Sequence, residues 1–236
     1  METPKLTTEG SAERREQIRQ DVLFVRMWLE QMAQTRVQRW REDGEQPFLN
    51  EAEVRAMNES VAEHVGQMKG LALEIIDKAV FERDYSFNDF DLRLALRMIR
   101  THDAEEIITG DVRTKDAAHF KRENEAIETI KNKALELNYG HQIAEAMAAY
   151  REKKVAEARF VKAIDELQAW FYIINSRRFD VSTRDFSHPE SIAGYVYSQE
   201  FPTLHRVMDL VLRIMRNPEC IKSGVPEMEL LKEQYS

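Results

Sequence analysis

The chain has 236 residues, 43% of them hydrophobic and 32% charged, so it can bury a core and lacks the composition of a disordered protein. Glycine occurs 8 times and proline 6 times, about 3% each against ordinary shares of roughly 7% and 5%, which argues against a turn-rich barrel or sandwich. The formal net charge of −8 argues against a surface built to bind a nucleic acid polymer. These values favour an all-α protein.

The cellular setting is predicted from cysteine content and hydropathy. Cys220 is the single cysteine, which excludes an intrachain disulfide and suits a reducing compartment. No apolar run approaches the roughly 18 residues of a spanning helix. Residues 1–16 are polar and lack the apolar centre of a secretory signal. We therefore expect a soluble cytoplasmic protein that does not bind membranes.

The N-terminal part of the chain contains two predicted helices. Residues 1–12 are small and polar and are expected to form a flexible arm. Apolar residues at helical spacing predict a first helix over 13–40, and the breaker cluster at 42–47 predicts a loop. A second helix begins near Asn58, where Asn58 or Ser60 can cap it. Its apolar face consists of Val61, Val65, Met68, Leu71, Ala72, Ile75 and Ile76.

The middle of the chain alternates short breakers with helices. Residues 84–88 are typical of a turn, and a strongly apolar third helix begins near Phe90 and ends at residues 101–103. A short helix is predicted over 104–108. Residues 120–137 have the pattern of a charged amphipathic helix.

The C-terminal part is predicted to finish the same helical domain. Residues 143–176 indicate one or two helices, residues 179–190 a loop, and residues 201–216 a last long helix. No repeat and no low-complexity linker divides the chain. We expect one all-α domain of about six or seven main helices over 13–216, followed by a tail at 217–236.

Histidine and aspartate side chains occur on three of these otherwise apolar helices. His64 lies near the start of the second helix, His102 and Asp103 at the end of the third, and Asp165 within a later apolar stretch. Two imidazoles and two carboxylates suit a first-row transition metal better than calcium or magnesium. The same residues are also compatible with structural roles, as a histidine satisfied by a neighbour and a half-buried aspartate.

The order of these segments resembles the HD-domain metal-dependent phosphohydrolases, and within them the branch of 5′-deoxynucleotidases. The resemblance covers roughly residues 30–212. Its most specific part is His102-Asp-Ala-Glu-Glu-Ile-Ile-Thr-Gly-Asp111, because this stretch matches in spacing as well as in residue types. The other resembling segments are Arg39-Trp40, Ser60-Val-Ala-Glu-His64, Glu125-Ala-Ile-Glu128, Lys162-Ala-Ile-Asp165 and Phe201-Pro-Thr-Leu-His205.

The resemblance implies one divalent transition metal, which would be Mn, Co, Fe, Ni or Zn. It implies that this metal is bound by His64, His102, Asp103 and Asp165. Glu106 would act as general base or position the attacking water, because it follows Asp103 by about one helical turn. The metal would lower the pKa of that water and polarise the phosphorus–oxygen bond.

The resemblance also implies contacts with a deoxynucleotide substrate. Asp111 would contact the sugar or support the catalytic site, and Thr109 would contribute from the same loop. Arg39 would pair with the phosphate, because a planar guanidinium matches two phosphate oxygens. Trp40 would press against the sugar and help select deoxyribose. Arg55 competes with Arg39 for the phosphate role, since the spacing between Trp40 and the first histidine is longer than the branch predicts.

Several functions remain open from the sequence. The first is hydrolysis of the 5′-phosphate of deoxynucleoside monophosphates, and the second is release of triphosphate from deoxynucleoside triphosphates. Arg113 and Lys115 would hold the extra phosphates in the second case and are surface charges in the first. A di-iron oxygenase would require His119 or His141 as a ligand, and a non-catalytic nucleotide-binding protein is a fourth reading. The apolar stretch 204–215 is compatible with a homodimer interface.

Overall fold

The protein is helical throughout the part of the chain that the structure describes. This structure is a computed structural model, and it describes residues 14–16, 19, 22–23, 61–109, 117–136, 140–176 and 189–216. Within these ranges the regular elements are helices and no β-strand occurs. The predicted all-α class is confirmed.

Eight α-helices and one 3-10 turn follow each other between residues 61 and 216 in the described ranges. The α-helices are α1 (Val61–Phe81), α2 (Leu92–Thr101), α3 (Glu106–Thr109), α4 (Ala117–Leu135), α5 (Gly140–Glu152), α6 (Ala156–Ser176), α7 (Pro189–Ser198) and α8 (Pro202–Arg216), and the 3-10 turn spans Tyr85–Phe87. Residues 14–16, 19 and 22–23 are helical as well, and they fall within the predicted first helix. The arm at 1–12, the loop at 42–47 and the tail at 217–236 lie outside the described residues, so the domain limits stay predictions.

The stretch predicted as one or two helices over 143–176 consists of two, α5 and α6. The helical conformation is interrupted at Lys153, whose φ of 53° is left-handed and therefore ends a right-handed helix. The Arg159 guanidinium, one turn into α6, donates to the carbonyl oxygens of Lys153 at 3.0 Å and Lys154 at 2.6 Å. Arg159 is held in turn by a bidentate ion pair with Glu200. This interaction keeps the two helices at a fixed junction.

Helix α7 was not among the predicted elements, and its first two residues fall in the predicted loop at 179–190. Pro189 begins it, a position where proline needs no intrahelical hydrogen bond. The helix has only ten residues, and its exposed Ile192 and Val196 blur the apolar pattern. Its buried Gly194 lies against α6, where a Cβ atom would overlap the Glu166 side chain. Glycine therefore allows the two helices to approach closely.

Helix α6 is the centre of the core and packs against α1, α2, α5, α7 and α8. It contributes the fully buried side chains of Ala158, Phe160, Val161, Ala163, Ile164, Leu167 and Phe171. Four phenylalanine rings close one end of the core at centroid distances of 5.1 to 6.1 Å, from Phe87, Phe90, Phe160 and Phe201. These contacts fix the connection between α1 and α2 against α6.

The start of α2 is fixed by two side chains. Asp91 caps the helix by accepting from the Leu94 amide at 3.0 Å, and its own amide donates to Glu157 Oε1 of α6 at 2.7 Å. The register of α2 against α6 follows from this pair. This register determines which residues at the C-terminal end of α2 face α6, and His102 lies at that end.

The apolar residues of α8 are already used inside the chain. Leu204, Val207, Met208, Val211 and Ile214 are all buried in the core. The stretch 204–215 therefore does not present an exposed apolar face, although the oligomeric state itself stays a prediction. Among the helices of the described ranges, none is both long and apolar enough to cross a membrane.

Gly66 in α1 and Gly194 in α7 predict opposite effects of substitution by alanine. Gly194→Ala forces the Glu166 side chain aside, so we expect the free energy of unfolding to fall by about 1–3 kcal/mol. Gly66→Ala is the matched control, because a Cβ atom at exposed Gly66 meets nothing within 4 Å. That variant should gain about 0.5–1 kcal/mol from helix propensity. Urea unfolding measures both, and equal shifts for the two variants would contradict the close approach of α6 and α7.

Candidate metal centre

Three helices bring the four predicted metal ligands to one place. His64 lies in the first turn of α1, His102 and Asp103 directly follow α2, and Asp165 lies in the middle of α6. Both histidines are buried, with 1% and 4% of their surface exposed, and both aspartates are mostly buried. The side chains come from parts of the sequence 100 residues apart, so only the packing of α1 and α2 on α6 makes them neighbours.

The ligand atoms of this cluster are close together. The Nε2 atoms of His64 and His102 are 3.2 Å apart. Asp103 Oδ2 lies 3.0 Å from His102 Nε2 and 3.6 Å from His64 Nε2. Asp165 Oδ1 lies 3.3 Å from His64 Nε2 and 3.8 Å from His102 Nε2. Every one of these distances joins two atoms that can donate an electron pair to a cation.

These separations match those of ligands that share one metal ion. With metal–ligand bonds of about 2.1 Å, neighbouring ligand atoms are roughly 3.0 Å apart in an octahedral site and roughly 3.4 Å apart in a tetrahedral one. The observed range of 3.0 to 3.8 Å brackets both. The ligand atoms of His64, His102 and Asp103 all lie within 4.8 Å of one another, and Asp165 adds an oxygen close to both imidazoles. The donor set therefore fits a divalent transition metal, and its mixture of nitrogen and oxygen does not identify which one.

Both imidazoles are oriented by a hydrogen bond at the ring nitrogen that faces away from the cluster. His102 Nδ1 lies 3.0 Å from the Ile99 carbonyl oxygen, which can only accept. His64 Nδ1 lies 3.0 Å from Gln168 Oε1, also an acceptor. Each Nδ1 therefore carries the proton in the neutral ring, and each Nε2 directs its lone pair into the cluster. This is the arrangement that metal-binding histidines require.

Lys162 determines how Asp165 faces the cluster. Its ammonium lies 3.0 Å from Asp165 Oδ2 and 2.9 Å from Glu166 Oε1. Asp165 therefore presents only Oδ1 to the histidines. Burial would raise the pKa of Asp165, but the Lys162 ammonium, together with His64 and His102, holds it well below its ordinary value. The carboxylate stays ionised in a buried position, as a metal ligand must.

The pKa of His102 reflects the negative charge of the cluster. Burial alone would lower this pKa, but the Asp103 carboxylate, with help from Asp165 and the Ile99 carbonyl, raises it to about 9. Burial also opposes ionisation of Asp103, yet His102 keeps the pKa of that carboxyl below its ordinary value. Without a metal, a proton on the imidazole supplies the positive charge that the cluster attracts.

Two glutamates follow the metal-ligand pair at the start of α3. Glu106, the predicted general base, is the first residue of α3, and its amide donates to the Asp103 carbonyl oxygen at 3.1 Å. Burial raises the pKa of its neighbour Glu105, and the charges of Asp103 and Glu123 act in the same direction. Sequence reasoning did not consider Glu105. The structure thus places a second carboxyl beside Glu106, and its pKa is raised mainly by burial and also by the charge of Asp103.

The other predicted residues are placed less closely, or lie outside the described ranges. The Thr109 hydroxyl donates to the carbonyl oxygen of Glu105, the residue just before α3, at 3.1 Å. His141 is exposed at the start of α5, and the His119 side chain in α4 is outside what the structure describes. The remaining predicted contacts also fall outside the described residues, namely Arg39, Trp40, Arg55, Asp111, Arg113 and Lys115.

Sequence reasoning missed three residues that contact or support the ligands. Gln168 binds His64, Gln67 binds Gln168, and Lys162 binds Asp165, although the family resemblance had already included Lys162 in a matching segment. Each lies three residues from a ligand on the same helix, the spacing that places side chains on one face. Polar residues at that spacing from a predicted ligand are the signal that would have found them.

Comparison with known proteins gave one match. The family model described as HD domain matches residues 50–198, which is more than half of the chain. Searches of curated proteins and of solved structures gave no match. The matched range contains all four clustered ligands.

Metal binding should release a proton from this cluster. Because the pKa of His102 is raised to about 9, the metal-free imidazole is protonated at neutral pH and must lose that proton to become a ligand. We expect the apparent affinity for Mn²⁺ to rise with pH up to that value and to fall as the pH is lowered. Calorimetric titration at neutral pH, in buffers with different heats of ionisation, counts the protons released. A count of zero would contradict a protonated His102.

Proposed function

We propose that this chain, which belongs to the HD-domain family of metal-dependent phosphohydrolases, hydrolyses the 5′-phosphate of deoxynucleoside monophosphates. The family membership rests on the match over residues 50–198. It indicates a hydrolase-type enzyme with a divalent metal. The deoxynucleotide substrate is proposed from the likeness of the segments around His64, His102 and Asp165 to the 5′-deoxynucleotidase branch.

The observation that carries the proposal is the convergence of His64, His102, Asp103 and Asp165, in which one oxygen of each aspartate lies 3.0 to 3.8 Å from both imidazole Nε2 atoms. A metal bound there supplies a Lewis acid for the phosphate and lowers the pKa of a bound water. Asp165 offers only Oδ1, since its other oxygen is bound by Lys162. If each of the four residues held a metal through a single atom, water and a phosphate oxygen could also bind to it.

The protein's own residues perform the proton transfer and position the substrate. In this proposal Glu106 accepts the proton of the attacking water, whose oxygen forms the new bond to phosphorus. The bond from phosphorus to the 5′ oxygen breaks, and that oxygen leaves as the hydroxyl of the deoxynucleoside after taking up a proton. Arg39 pairs with the phosphate, Trp40 packs on the sugar, and Asp111 contacts the sugar or supports the site.

The negative net charge is compatible with an anionic substrate. The chain carries −8 overall, but the two aspartates of the cluster lie near the buried ammonium of Lys162, and a divalent cation bound there would add two further positive charges. The local charge that a phosphate meets is therefore set by the centre and not by the surface. A cation held by these residues would supply the local positive charge that attracts an anion.

A substrate panel tests the reaction directly. Purified protein with Mn²⁺ or Co²⁺ should convert dAMP and other deoxynucleoside monophosphates to deoxynucleoside and phosphate, with AMP turned over more slowly. A chelator should abolish the activity, and adding metal back should restore it. Triphosphate released from dATP would instead favour the triphosphohydrolase reading, with Arg113 and Lys115 holding the extra phosphates. Turnover of neither class under several metals would reject the proposed function.

The adjacent carboxylates Glu105 and Glu106 allow the general base to be assigned. Glu106→Gln should lower kcat by about 10²- to 10⁴-fold while metal affinity is kept, because the amide cannot accept the proton. Glu105→Gln is the matched control, with the same change one residue earlier, and should keep most of the activity. Steady-state kinetics and metal titration of both variants decide between them. The reverse pattern would assign the base to Glu105.

A further inference from the structure

We infer that Gln168, held in place by Gln67, is a positioning residue that selects the metal-binding tautomer of His64. The inference rests on the proposed metal centre and concerns two side chains that are not among its ligands. Gln168 lies on α6 and Gln67 on α1, each three residues after a proposed ligand of its own helix. Between α1 and α6, Gln168 is hydrogen-bonded to His64 Nδ1, and Gln67 is hydrogen-bonded to Gln168.

The contacts form a chain of three side chains. Gln168 Oε1 lies 3.0 Å from His64 Nδ1, and Gln168 Nε2 donates to Gln67 Oε1 at 2.9 Å. Gln168 is 1% exposed, so water does not replace either partner. Because one end of the Gln168 amide donates to Gln67, the end that remains for His64 is the acceptor. The Nδ1 of His64 must then carry the proton.

If the hydrogen bonds among Gln67, Gln168 and His64 ran in the opposite direction, His64 could not bind a metal. If both amides were reversed, Gln67 would donate to Gln168, and Gln168 would donate to His64 Nδ1. The imidazole proton would then lie on Nε2 and point at the other ligands, where a metal cannot bind. The observed arrangement leaves the buried Gln67 Nε2 without a hydrogen-bond partner among the described residues. Of the two orientations, only the observed one leaves the Nε2 lone pair of His64 free to face the other proposed ligands.

The two histidine ligands differ in how their tautomers are fixed. His102 Nδ1 faces the Ile99 backbone carbonyl, which accepts in every state of the protein. His64 instead faces a side-chain amide, whose donor and acceptor ends exchange by rotation. The tautomer of His64 therefore depends on the hydrogen bond between Gln168 and Gln67, and that of His102 does not.

The metal affinity of variants at Gln168 and Gln67 tests the role of these hydrogen bonds. Gln168→Met keeps the length of the side chain but removes the acceptor, and should weaken Co²⁺ binding by about 10- to 100-fold. Gln168→Glu keeps an acceptor and should restore tight binding. Gln67→Met should cause a smaller loss, and should add nothing in the Gln168→Met background, because Gln67 acts only through Gln168. Affinity is measured by competition with a chromogenic chelator, and thermal unfolding reports whether each variant folds.

Charge and folding are controlled separately. The double variant Gln67→Glu with Gln168→Met places a carboxylate nearby without an acceptor at His64, and should bind Co²⁺ as weakly as Gln168→Met alone. If Gln168→Met fails to fold, the partly buried Gln67→Met variant carries the test, and its unchanged affinity would overturn the inference. Wild-type affinity in Gln168→Met, or independent losses from the two methionine variants, would also overturn it. Failure of the wild-type protein to bind Co²⁺ would reject the metal centre itself.

Discussion

The structure depends on a buried cluster of four electron-pair donors. Such a cluster is stable only when a positive charge lies between the donors. The two imidazole Nε2 atoms are 3.2 Å apart, and one oxygen of each aspartate lies 3.0 to 3.8 Å from both of them, a distance at which like partial charges repel unless a cation or proton lies between them. The raised pKa of His102 expresses that demand in the metal-free protein. Helices α1, α2 and α6 hold these donors together because their apolar faces bury most of the core.

Helix α6 has two tasks that use different residues of the same turns. Its apolar face is the centre of the core, while Lys162, Asp165 and Gln168 follow each other at intervals of three on the side that meets α1 and α2. This spacing places a cation, a ligand and an amide in one row. The lysine and the glutamine each restrict one ligand, since the first occupies an oxygen of Asp165 and the second a nitrogen of His64. The apolar core thus holds the site in position, while Lys162 and Gln168 determine which atoms of Asp165 and His64 face the cluster.

Glycine scarcity and helical periodicity predicted the helical class, because both are local signals, and the resemblance to the HD-domain phosphohydrolases implied which residues meet at the centre. The sequence did not predict that α5 and α6 separate at Lys153, since that break depends on Arg159 binding backbone carbonyls from the next helix. It also missed α7, whose close packing on α6 relies on the missing side chain of Gly194. Gln67 and Gln168 escaped notice for a related reason, because a neutral amide gains meaning only from the partner that folding brings to it.

The close approach at Gly194 has a consequence for which sequences can keep this centre. The space that a larger residue would need is filled by Glu166, and Glu166 shares the Lys162 ammonium with Asp165. A single added methyl group in α7 therefore reaches a ligand carboxylate through two contacts, although α7 provides none of the four ligands. The packing of α7 on α6 thus constrains the surroundings of Asp165, and we expect a bulkier residue at position 194 to require a smaller one at position 166.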